Sequence, residues 1–438
     1  MKPFLILIFL LGAITTHAQN LYFPPLAVNV WDTLSPTSLG WCKPKIDSLY
    51  SYLDARNTDA FIVLKNGKLV LEKYFGTFTK DSVHYWASAG KSLTGTMVGM
   101  AQERNLLNIN APVKQYLGAG WTAAPAAKEN LITVRNLLTM TSGLDETPTL
   151  PCGNEDTARA CLQYRVDAGT RWAYHTGAYR KLQAVLGAAN GGISYNNVTN
   201  AYVGSRIGMT GLWLNGVYYS KARGMARFGL LALNKGVWAA DTLLHDAAYF
   251  TAMTNTSQNF NLAYGYLWWL NGKASYMSPQ LQTQFGGSLM PNAPNDMFAA
   301  LGKNDQKIYV VPSQNLVVIR VGNSAYGVAA AFSPFDNELW GKLNDLACVT
   351  DTNIQTAPLS LAIAPNPADN SIDIITDKKI VNVMIYNVLG QLMLQYKPTN
   401  IDDTHQNINS SALPNGIYTL AIEDGTGARG AARVLVQH

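Results

Sequence analysis

The chain has 438 residues, of which 48% are hydrophobic and 14% are charged, and its formal net charge is +5. This composition supports two or three folded domains with a sizeable core and argues against disorder. The charge is spread thinly, without a long run of Lys or Arg, so neither nucleic acid nor an anionic membrane surface is indicated as a partner.

The first residues, MKPFLILIFLLGAITTHAQN, predict a signal peptide over residues 1–18. A lysine precedes an apolar run, and small residues lead to a cleavage point before Gln19. The apolar run is too short for a permanent anchor, and no later stretch reaches about 18 consecutive apolar residues. We therefore expect export to the periplasm and no transmembrane segment.

Four cysteines remain after export, and an even count in an exported chain suggests disulfides. They allow three pairings. We favour Cys152–Cys161, which closes a short polar loop, with Cys42–Cys348 tying the first helix of the main domain to its last. Four free thiols are the alternative. The chain has no CxxC and its histidines are scattered, so no metal site and no cofactor are expected.

In chain order, the first predicted elements are a helix over residues 45–57 and a hairpin. The hairpin, AFIVLKNGKLVLEKYFG, has two alternating strands joined by Asn66-Gly67, a strong signal for a two-residue turn. Four helices are then predicted, one starting at Ser88 and the others at 132–144, 180–192 and 220–236.

Strands return late in the main domain. Residues 297–312 and 315–323 predict an antiparallel pair, and residues 331–349 predict a closing helix. Strands at both sequence ends with helices between them indicate an α+β fold, in which helices flank an antiparallel sheet. The main domain is assigned to residues 19–349. A polar linker over 350–357 precedes short β-like runs over 358–438, which predict a small β-sandwich.

The segment WASAGKSLTGTM (86–97) contains the candidate nucleophile. Ser88 and Lys91 are three residues apart, so on a helix they share a face. A buried lysine has a lowered pKa and can accept the serine proton, and the amide groups of a helix N-terminus suit a developing oxyanion. The alternative is a solvated helix face. Small residues around the pair and apolar residues behind it favour burial, where an unpaired lysine is costly.

This segment, with TMTSGL (139–144) downstream, resembles the serine β-lactamase and penicillin-binding-protein superfamily. The likeness is greatest to class C β-lactamases and their esterase and 6-aminohexanoate-dimer-hydrolase relatives. FAALGKNDQKIYVVPSQNLVVIRVGN (298–323) also resembles a strand pair near the end of that fold. The resemblance spans roughly residues 40–349 and implies a β-lactamase/transpeptidase-like fold with a helical subdomain.

The family carries a second motif, Y-x-N or a variant, on a loop that faces the serine. Tyr195-Asn196-Asn197 matches it literally, but we choose Tyr174-His175-Thr176, which follows DAGTRW and precedes a helix as in the family. The resemblance implies that Tyr174, with a lowered pKa beside a lysine cation, relays the serine proton to the leaving group. Thr176 and His175 would then line the substrate pocket, His175 not acting as a base.

The third family motif, K-T-G or H-T-G, corresponds to Ala300-Leu301-Gly302. Gly302 keeps the glycine that lets the backbone approach substrate, and the N–H groups of Lys303 and Ser88 would form the oxyanion hole. Ala300-Leu301 replace the polar pair that helps to hold a β-lactam or peptide carboxylate. We infer acyl transfer from an ester or amide without that carboxylate to water.

A Ser-His-Asp triad is disfavoured because no G-x-S-x-G elbow occurs. The aromatic run YGYLWWL (264–270) is typical of core, although it could line an acyl pocket. A catalytically inactive ligand-binding relative and a true β-lactamase or D-Ala-D-Ala peptidase remain the alternative functions.

The C-terminal module contains APNPA (364–368), IYNVLGQ (385–391) and LPNGIY (413–418). It resembles the C-terminal sorting domain of type IX secretion in Bacteroidetes. The resemblance implies the type IX machinery as a partner and a location at the cell surface or in the medium. An adhesion or carbohydrate-binding β-sandwich is the alternative.

Overall fold

The computed structural model describes residues 21–26, 30–328, 330–348, 361–388, 391–398, 404–425 and 429–438. The predicted signal peptide and the predicted linker lie outside the described residues. The chain divides into two compact units, Met1–Cys348 and Val349–His438.

The first unit combines eleven described helices with thirteen described strands. The helices are α1 Lys43–Ala55, α2 Gly90–Glu103, α3 Lys114–Leu117, α4 Ala126–Glu129, α5 Val134–Leu138, α6 Thr176–Ala189, α7 Tyr195–Thr199, α8 Ser205–Ile207, α9 Ala222–Leu233, α10 Ala247–Met253 and α11 Pro334–Asn344. The strands are β1 Thr58–Lys65, β2 Lys68–Tyr74, β3 Val83–Tyr85, β4 Gly211–Leu214, β5 Val217–Lys221, β6 Val237–Trp238, β7 Asp241–Thr242, β8 Trp269–Leu270, β9 Ser275–Met277, β10 Gln284–Gly286, β11 Phe298–Gly302, β12 Gln306–Val311 and β13 Leu316–Gly322. Among the described residues, no helix has the length and apolar character needed to cross a bilayer.

A six-stranded antiparallel sheet organises this unit, in the order β2-β1-β13-β12-β11-β8. The predicted α+β class is therefore confirmed, with a sheet assembled from both ends of the unit. Helix α9 covers one face so closely that a Cβ on Gly229 would lie 2.6 Å from Val317 Cγ1. On the other face Tyr309 packs edge-on against Trp340 of α11, with ring centroids 5.6 Å apart. Because both faces are covered, β12 and β13 are buried along their whole length.

The β1–β2 hairpin is confirmed, and Asn66 and Gly67 have the positive φ angles, 53° and 80°, of its two-residue turn. Two other elements differ from the prediction. Residues 297–312 form two strands, because Asn304 and Asp305 take positive φ in a turn, a conformation that Asn and Asp tolerate. The helix predicted over 132–144 ends at Leu138, where Thr139 begins a run of local side-chain hydrogen bonds that compete with helix.

A buried ionic cluster joins the turn after β11 to α11. Lys307 Nζ lies 2.8 Å from Asp336 Oδ1 and 3.2 Å from Asp305 Oδ1, and all three side chains are almost fully buried. The same ammonium donates to the Ala331 carbonyl at 2.7 Å. Burying a charged side chain is costly unless it is paired and hydrogen-bonded, as these three side chains are. The cluster therefore holds the segment before α11 against the end of the sheet.

Both favoured disulfides are present, Cys42–Cys348 and Cys152–Cys161. Cys42 precedes α1 and Cys348 follows α11, where the backbone of Cys348 also donates to the Gly40 carbonyl at 3.1 Å. The long disulfide therefore joins the first and last helices of the unit, as predicted.

The second unit contains two antiparallel sheets, in the orders β14-β15-β18 and β17-β16-β19-β20. Alternate apolar residues of these strands form one core, and the arrangement is consistent with the predicted small sandwich. The strands are β14 Leu361–Ala364, β15 Ser371–Thr376, β16 Ile380–Tyr386, β17 Leu392–Tyr396, β18 His405–Asn409, β19 Gly416–Asp424 and β20 Arg429–Val436.

The two disulfides close loops of very different length, which predicts different losses of stability when each is removed. Replacing Cys42 and Cys348 by serine should lower the free energy of unfolding by about 5 kcal/mol, whereas the Cys152 and Cys161 pair should cost about 3 kcal/mol. Urea unfolding, monitored by tryptophan fluorescence, measures the loss of unfolding free energy in each variant. Equal losses would contradict an origin in loop closure.

Candidate active site

Ser88 lies in a short 3-10 turn, Ala87–Ala89, that leads directly into α2. Ala87 adopts φ 48°, a left-handed conformation that is strained for a residue with a side chain. The turn is held by Trp86, which is fully buried and donates its indole N–H to Ser220 Oγ at 2.8 Å. Packing around the turn thus offsets the strain beside the candidate nucleophile.

Lys91 is the basic partner of Ser88, with Nζ 2.8 Å from Ser88 Oγ and 3.4 Å from Thr176 Oγ1. The ammonium lies between two aromatic faces, 4.9 Å from the ring centroid of Tyr174 and 4.6 Å from that of Tyr179. Burial lowers the pKa of Lys91 to about 7, and the positive charge of Arg180 acts in the same direction. A substantial fraction of Lys91 is therefore neutral at neutral pH and able to accept a proton.

Of the two candidate tyrosines, the structure brings Tyr174 to the serine. Its ring is buried and stacks on Trp269 with centroids 6.0 Å apart. Burial raises the pKa of Tyr174 well above its ordinary value, although a hydrogen bond with Ser88 opposes this shift. The pKa is thus raised, not lowered as the resemblance implied, because burial outweighs the hydrogen bond with Ser88. The other candidate, Tyr195, instead bonds Thr94 Oγ1 at 2.7 Å, farther along α2.

His175 and Thr176 point in different directions. Thr176 lines the cavity beside Ser88, and its role in binding substrate stays a prediction. His175 is 1% exposed and is not among the lining residues, because its Nδ1 caps α6 by accepting from the Ala178 N–H at 3.3 Å. Burial lowers the pKa of His175 to about 4, so the ring is neutral at neutral pH. His175 therefore supports the start of α6 from behind the cavity wall.

Asn154 organises the loop that carries Tyr174, a role that the sequence did not reveal. Its Nδ2 donates to the carbonyls of Glu146 and Tyr174, both at 3.0 Å, and its Oδ1 accepts from the Thr176 N–H at 2.9 Å. Asn154 lies within the loop closed by Cys152–Cys161. The spacing of Cys152 and Cys161 was the one sequence signal that could have pointed to Asn154.

Gly302 ends β11 directly against the turn of Ser88. A Cβ there would lie 2.4 Å from the Trp86 carbonyl oxygen and 3.1 Å from the Ala89 nitrogen. Only glycine allows the strand to come this close. The next residue, Lys303, lines the same cavity as Ser88. Strand β11 and the serine turn are thus in direct contact, and the oxyanion hole of the Ser88 and Lys303 N–H groups stays a prediction.

The cavity in front of Ser88 has a volume of about 290 Å³. Its lining combines polar side chains with residues of the segment before α11. The lining residues are Ser88, Asn154, Glu155, Tyr174, Thr176, Ser278, Pro279, Gln280, Lys303, Val328, Ala330, Ala331 and Phe332. The aromatic run at 264–270 is buried behind this cavity, as expected for core. Across the described residues, no group of three His, Cys, Asp or Glu side chains could hold a metal ion.

The profile of the Beta-lactamase family matches residues 46–338, well over half of the chain. The chain belongs to the β-lactamase family. A second profile, the Secretion system C-terminal sorting domain, matches residues 362–437. The resemblance seen in the sequence is therefore confirmed for both units, and the sorting domain indicates export to the cell surface or beyond.

Individual members of the β-lactamase family resemble this chain at low identity. The 6-aminohexanoate-dimer hydrolase of Paenarthrobacter ureafaciens is 31% identical over 98 residues, which cover 22% of this chain and 25% of that protein. A family VIII carboxylesterase superposes with a TM-score of 0.52 at 17% identity, covering 70% of this chain and 98% of its own. A penicillin-binding protein homologue from Caulobacter crescentus superposes with a TM-score of 0.52 at 12% identity. The superposition covers 70% of this chain and 98% of the homologue. The solved structures establish a shared fold.

The close approach of Gly302 predicts a site that tolerates no added methyl group. Gly302→Ala should slow the labelling of Ser88 by a fluorophosphonate at least about 10-fold, because either β11 or the serine turn must shift. Intact-mass spectrometry over time measures the rate. Gly286→Ala is the matched control, since a Cβ at this other strand glycine has nothing within 4 Å. Equal rates in the two variants would refute the constraint.

Proposed function

We propose that this protein is an exported serine hydrolase that acts on an ester or amide through an acyl-enzyme. The observation that carries the proposal is the 2.8 Å separation of Ser88 Oγ and a buried Lys91 Nζ at an accessible cavity. A serine hydroxyl needs an adjacent base, and a lysine with a pKa near 7 is such a base.

The first half-reaction follows from this geometry. Neutral Lys91 takes the Ser88 proton while Oγ bonds to the substrate carbonyl carbon, and the carbonyl π electrons move to oxygen. The backbone N–H groups of Ser88 and Lys303 are assigned to stabilise that oxyanion. When the intermediate collapses, the bond to the leaving group breaks, and the Lys91 proton passes to that group.

Tyr174 serves in this scheme as a neutral relay. Because its pKa is raised, the phenol keeps its proton at neutral pH and can donate to the leaving group while it accepts from Lys91. In the second half-reaction water replaces the alcohol or amine and bonds to the acyl carbon while Lys91 accepts its proton. The acyl–Ser88 bond then breaks, and the Lys91 proton returns to Ser88 Oγ. No proton is gained or lost over the cycle apart from that of the released acid.

The side chains at positions 300 and 301 favour esters and simple amides over β-lactams. Ala300 and Leu301 are buried and apolar, so they present no polar group where the family usually has one. The C-terminal sorting domain implies interaction with the secretion machinery, so we place the activity outside the cell.

The decisive experiment compares Ser88→Ala with the wild-type chain. Wild type should gain one fluorophosphonate adduct and hydrolyse 4-nitrophenyl butyrate. The variant should lose the adduct and at least about 1000-fold in kcat/KM. Ser92→Ala is the matched control, because that buried hydroxyl donates to the Leu267 carbonyl at 2.6 Å, away from the cavity.

Two other outcomes of this experiment would change the proposed function. Absence of adduct and turnover in wild type would favour a ligand-binding relative. Turnover of nitrocefin by the same sample would show that Ala300-Leu301 do not prevent β-lactam hydrolysis.

The lowered pKa of Lys91 predicts the pH dependence. Only the neutral amine can accept the Ser88 proton, so kcat/KM should rise with pH through an apparent pKa of about 7 and be lost below it. Initial rates with 4-nitrophenyl butyrate, corrected for spontaneous hydrolysis, measure this rise of kcat/KM with pH. His175 has a pKa near 4, so its titration does not contribute to a change of rate around pH 7. A rate that is constant from about pH 5 to about pH 9 would exclude Lys91 as the base.

A further inference from the structure

A second cavity borders α6 and shares no lining residue with the cavity at Ser88. Its volume is about 570 Å³, against about 290 Å³ for the first. We infer that this second cavity binds a small organic anion, and that the bound anion slows the proposed hydrolysis at neutral pH. The effect on the rate rests on the proposed function, whereas the binding of the anion does not.

Two cations line the second cavity. Arg180 and Lys181 are consecutive residues of α6, and none of the described residues that line the cavity is Asp or Glu. Partial burial lowers the pKa of Lys181, and no described carboxylate forms an ion pair with its ammonium. A partly desolvated cation without a counter-ion is unfavourable, so an anion is the complementary ligand.

The guanidinium of Arg180 keeps one hydrogen-bond donor unused. Its terminal nitrogens donate to the backbone carbonyl of Glu155 at 2.9 Å and to the Glu155 carboxylate at 3.1 Å. Its Nε is buried and has no hydrogen-bond partner among the described residues. A Cβ on Gly216, which lines the cavity, would lie 2.8 Å from this Nε. The guanidinium is therefore incompletely paired next to the cavity, where an anion can pair with it.

The remaining lining residues suit an organic anion better than an inorganic one. Ala184, Gly187 and Ile193 contribute apolar surface, and Ile193 is 44% exposed. A short apolar group attached to the anion would remove this surface from water. The ligand class is therefore a small anion that carries an apolar part.

Two residues of the second cavity hold the ring that encloses Lys91. Gln183 Nε2 donates to Tyr179 Oη at 3.2 Å. Tyr195 Oη lies 2.7 Å from Thr94 Oγ1, and that hydroxyl lies 2.9 Å from Tyr179 Oη. The centroid of the Tyr179 ring is 4.6 Å from Lys91 Nζ. Tyr195, the literal match to the Y-x-N motif, thus connects the second cavity to the proposed base.

The charge of Arg180 also acts on the proposed base. Arg180 and Lys303 lower the pKa of Lys91, whereas Glu155 raises it. The other titratable groups that face the ammonium are the phenols of Tyr174 and Tyr179. Burial raises the pKa of both phenols, so they stay neutral at neutral pH. Arg180 is therefore the group through which charge in the second cavity acts on Lys91.

The direction of the effect follows from these signs. An anion beside Arg180 offsets its positive charge, so the pKa of Lys91 rises and less neutral amine is present at neutral pH. Hydrolysis should therefore slow at neutral pH. It should recover well above the raised pKa, where Lys91 is neutral with or without the anion.

Isothermal titration calorimetry with phenyl phosphate tests the site on the full chain. Lys181→Gln should weaken the binding seen in wild type at least about 10-fold, because a charged hydrogen bond is lost. Ala184→Glu adds a carboxylate at an exposed position of the cavity and should also weaken it. Lys43→Gln, on α1, and Lys303→Gln, at the first cavity, remove the same charge elsewhere. These two controls should change the Kd less than about 3-fold.

The pH dependence of hydrolysis tests the effect on the rate. With saturating phenyl phosphate, the pH at half-maximal kcat/KM for 4-nitrophenyl butyrate should rise by about 0.5 from its value near 7. The rate should fall about 3-fold near about pH 6 and stay unchanged near about pH 9. Benzyl alcohol and KCl at the same ionic strength control for the phenyl group and for salt, and neither should move the profile.

The results that would overturn the inference are specific. Absence of binding to wild type would remove the site. Equal weakening by Lys181→Gln and Lys303→Gln, or inhibition that is competitive with the ester at every pH, would place the anion in the first cavity instead. Binding that leaves the pH profile unchanged would overturn the effect on hydrolysis. Absence of Ser88-dependent turnover would overturn the proposed function and the rate effect, and calorimetry would still decide whether the anion binds.

Discussion

The burial of one lysine ammonium is the constraint on which the active site depends. Lys91 is enclosed by α2 and by the rings of Tyr174 and Tyr179, and among the described residues no salt bridge joins it to a carboxylate. Taking an unpaired ammonium out of water is costly, and the lowered pKa expresses that cost. The rest of the site maintains the enclosure and brings Ser88 into contact with the amine.

Lys307 shows what the same residue type does when it is fully paired. It is as deeply buried as Lys91, but two carboxylates and a backbone carbonyl surround its ammonium. That cluster fixes a segment that contributes to the lining of the cavity. One buried lysine thus stabilises the wall of the site, whereas the other has no salt bridge to a described carboxylate and has a lowered pKa. The difference lies in the neighbours and not in the depth of burial.

Three separate stretches of chain must meet for the site to exist. The turn at Ser88, the loop at Tyr174 and the end of β11 at Gly302 are brought together because the central sheet takes strands from both ends of the unit. The Cys42–Cys348 disulfide joins the same two ends, and Cys152–Cys161 closes the loop from which Asn154 reaches Tyr174 and Thr176. The shorter link therefore lies in the loop that reaches the cavity, whereas the longer one joins the two ends of the unit.

The sequence by itself determined the features that arise from local pattern. Apolar alternation and Asn66-Gly67 defined the first hairpin, helical spacing put Ser88 and Lys91 together, and ordered motifs identified both units. What only the tertiary structure decided depends on contacts between distant residues. Enclosure by Tyr179, the raised pKa of Tyr174 and the contacts of Asn154 have no local signature, because each results from burial or from a partner farther along the chain.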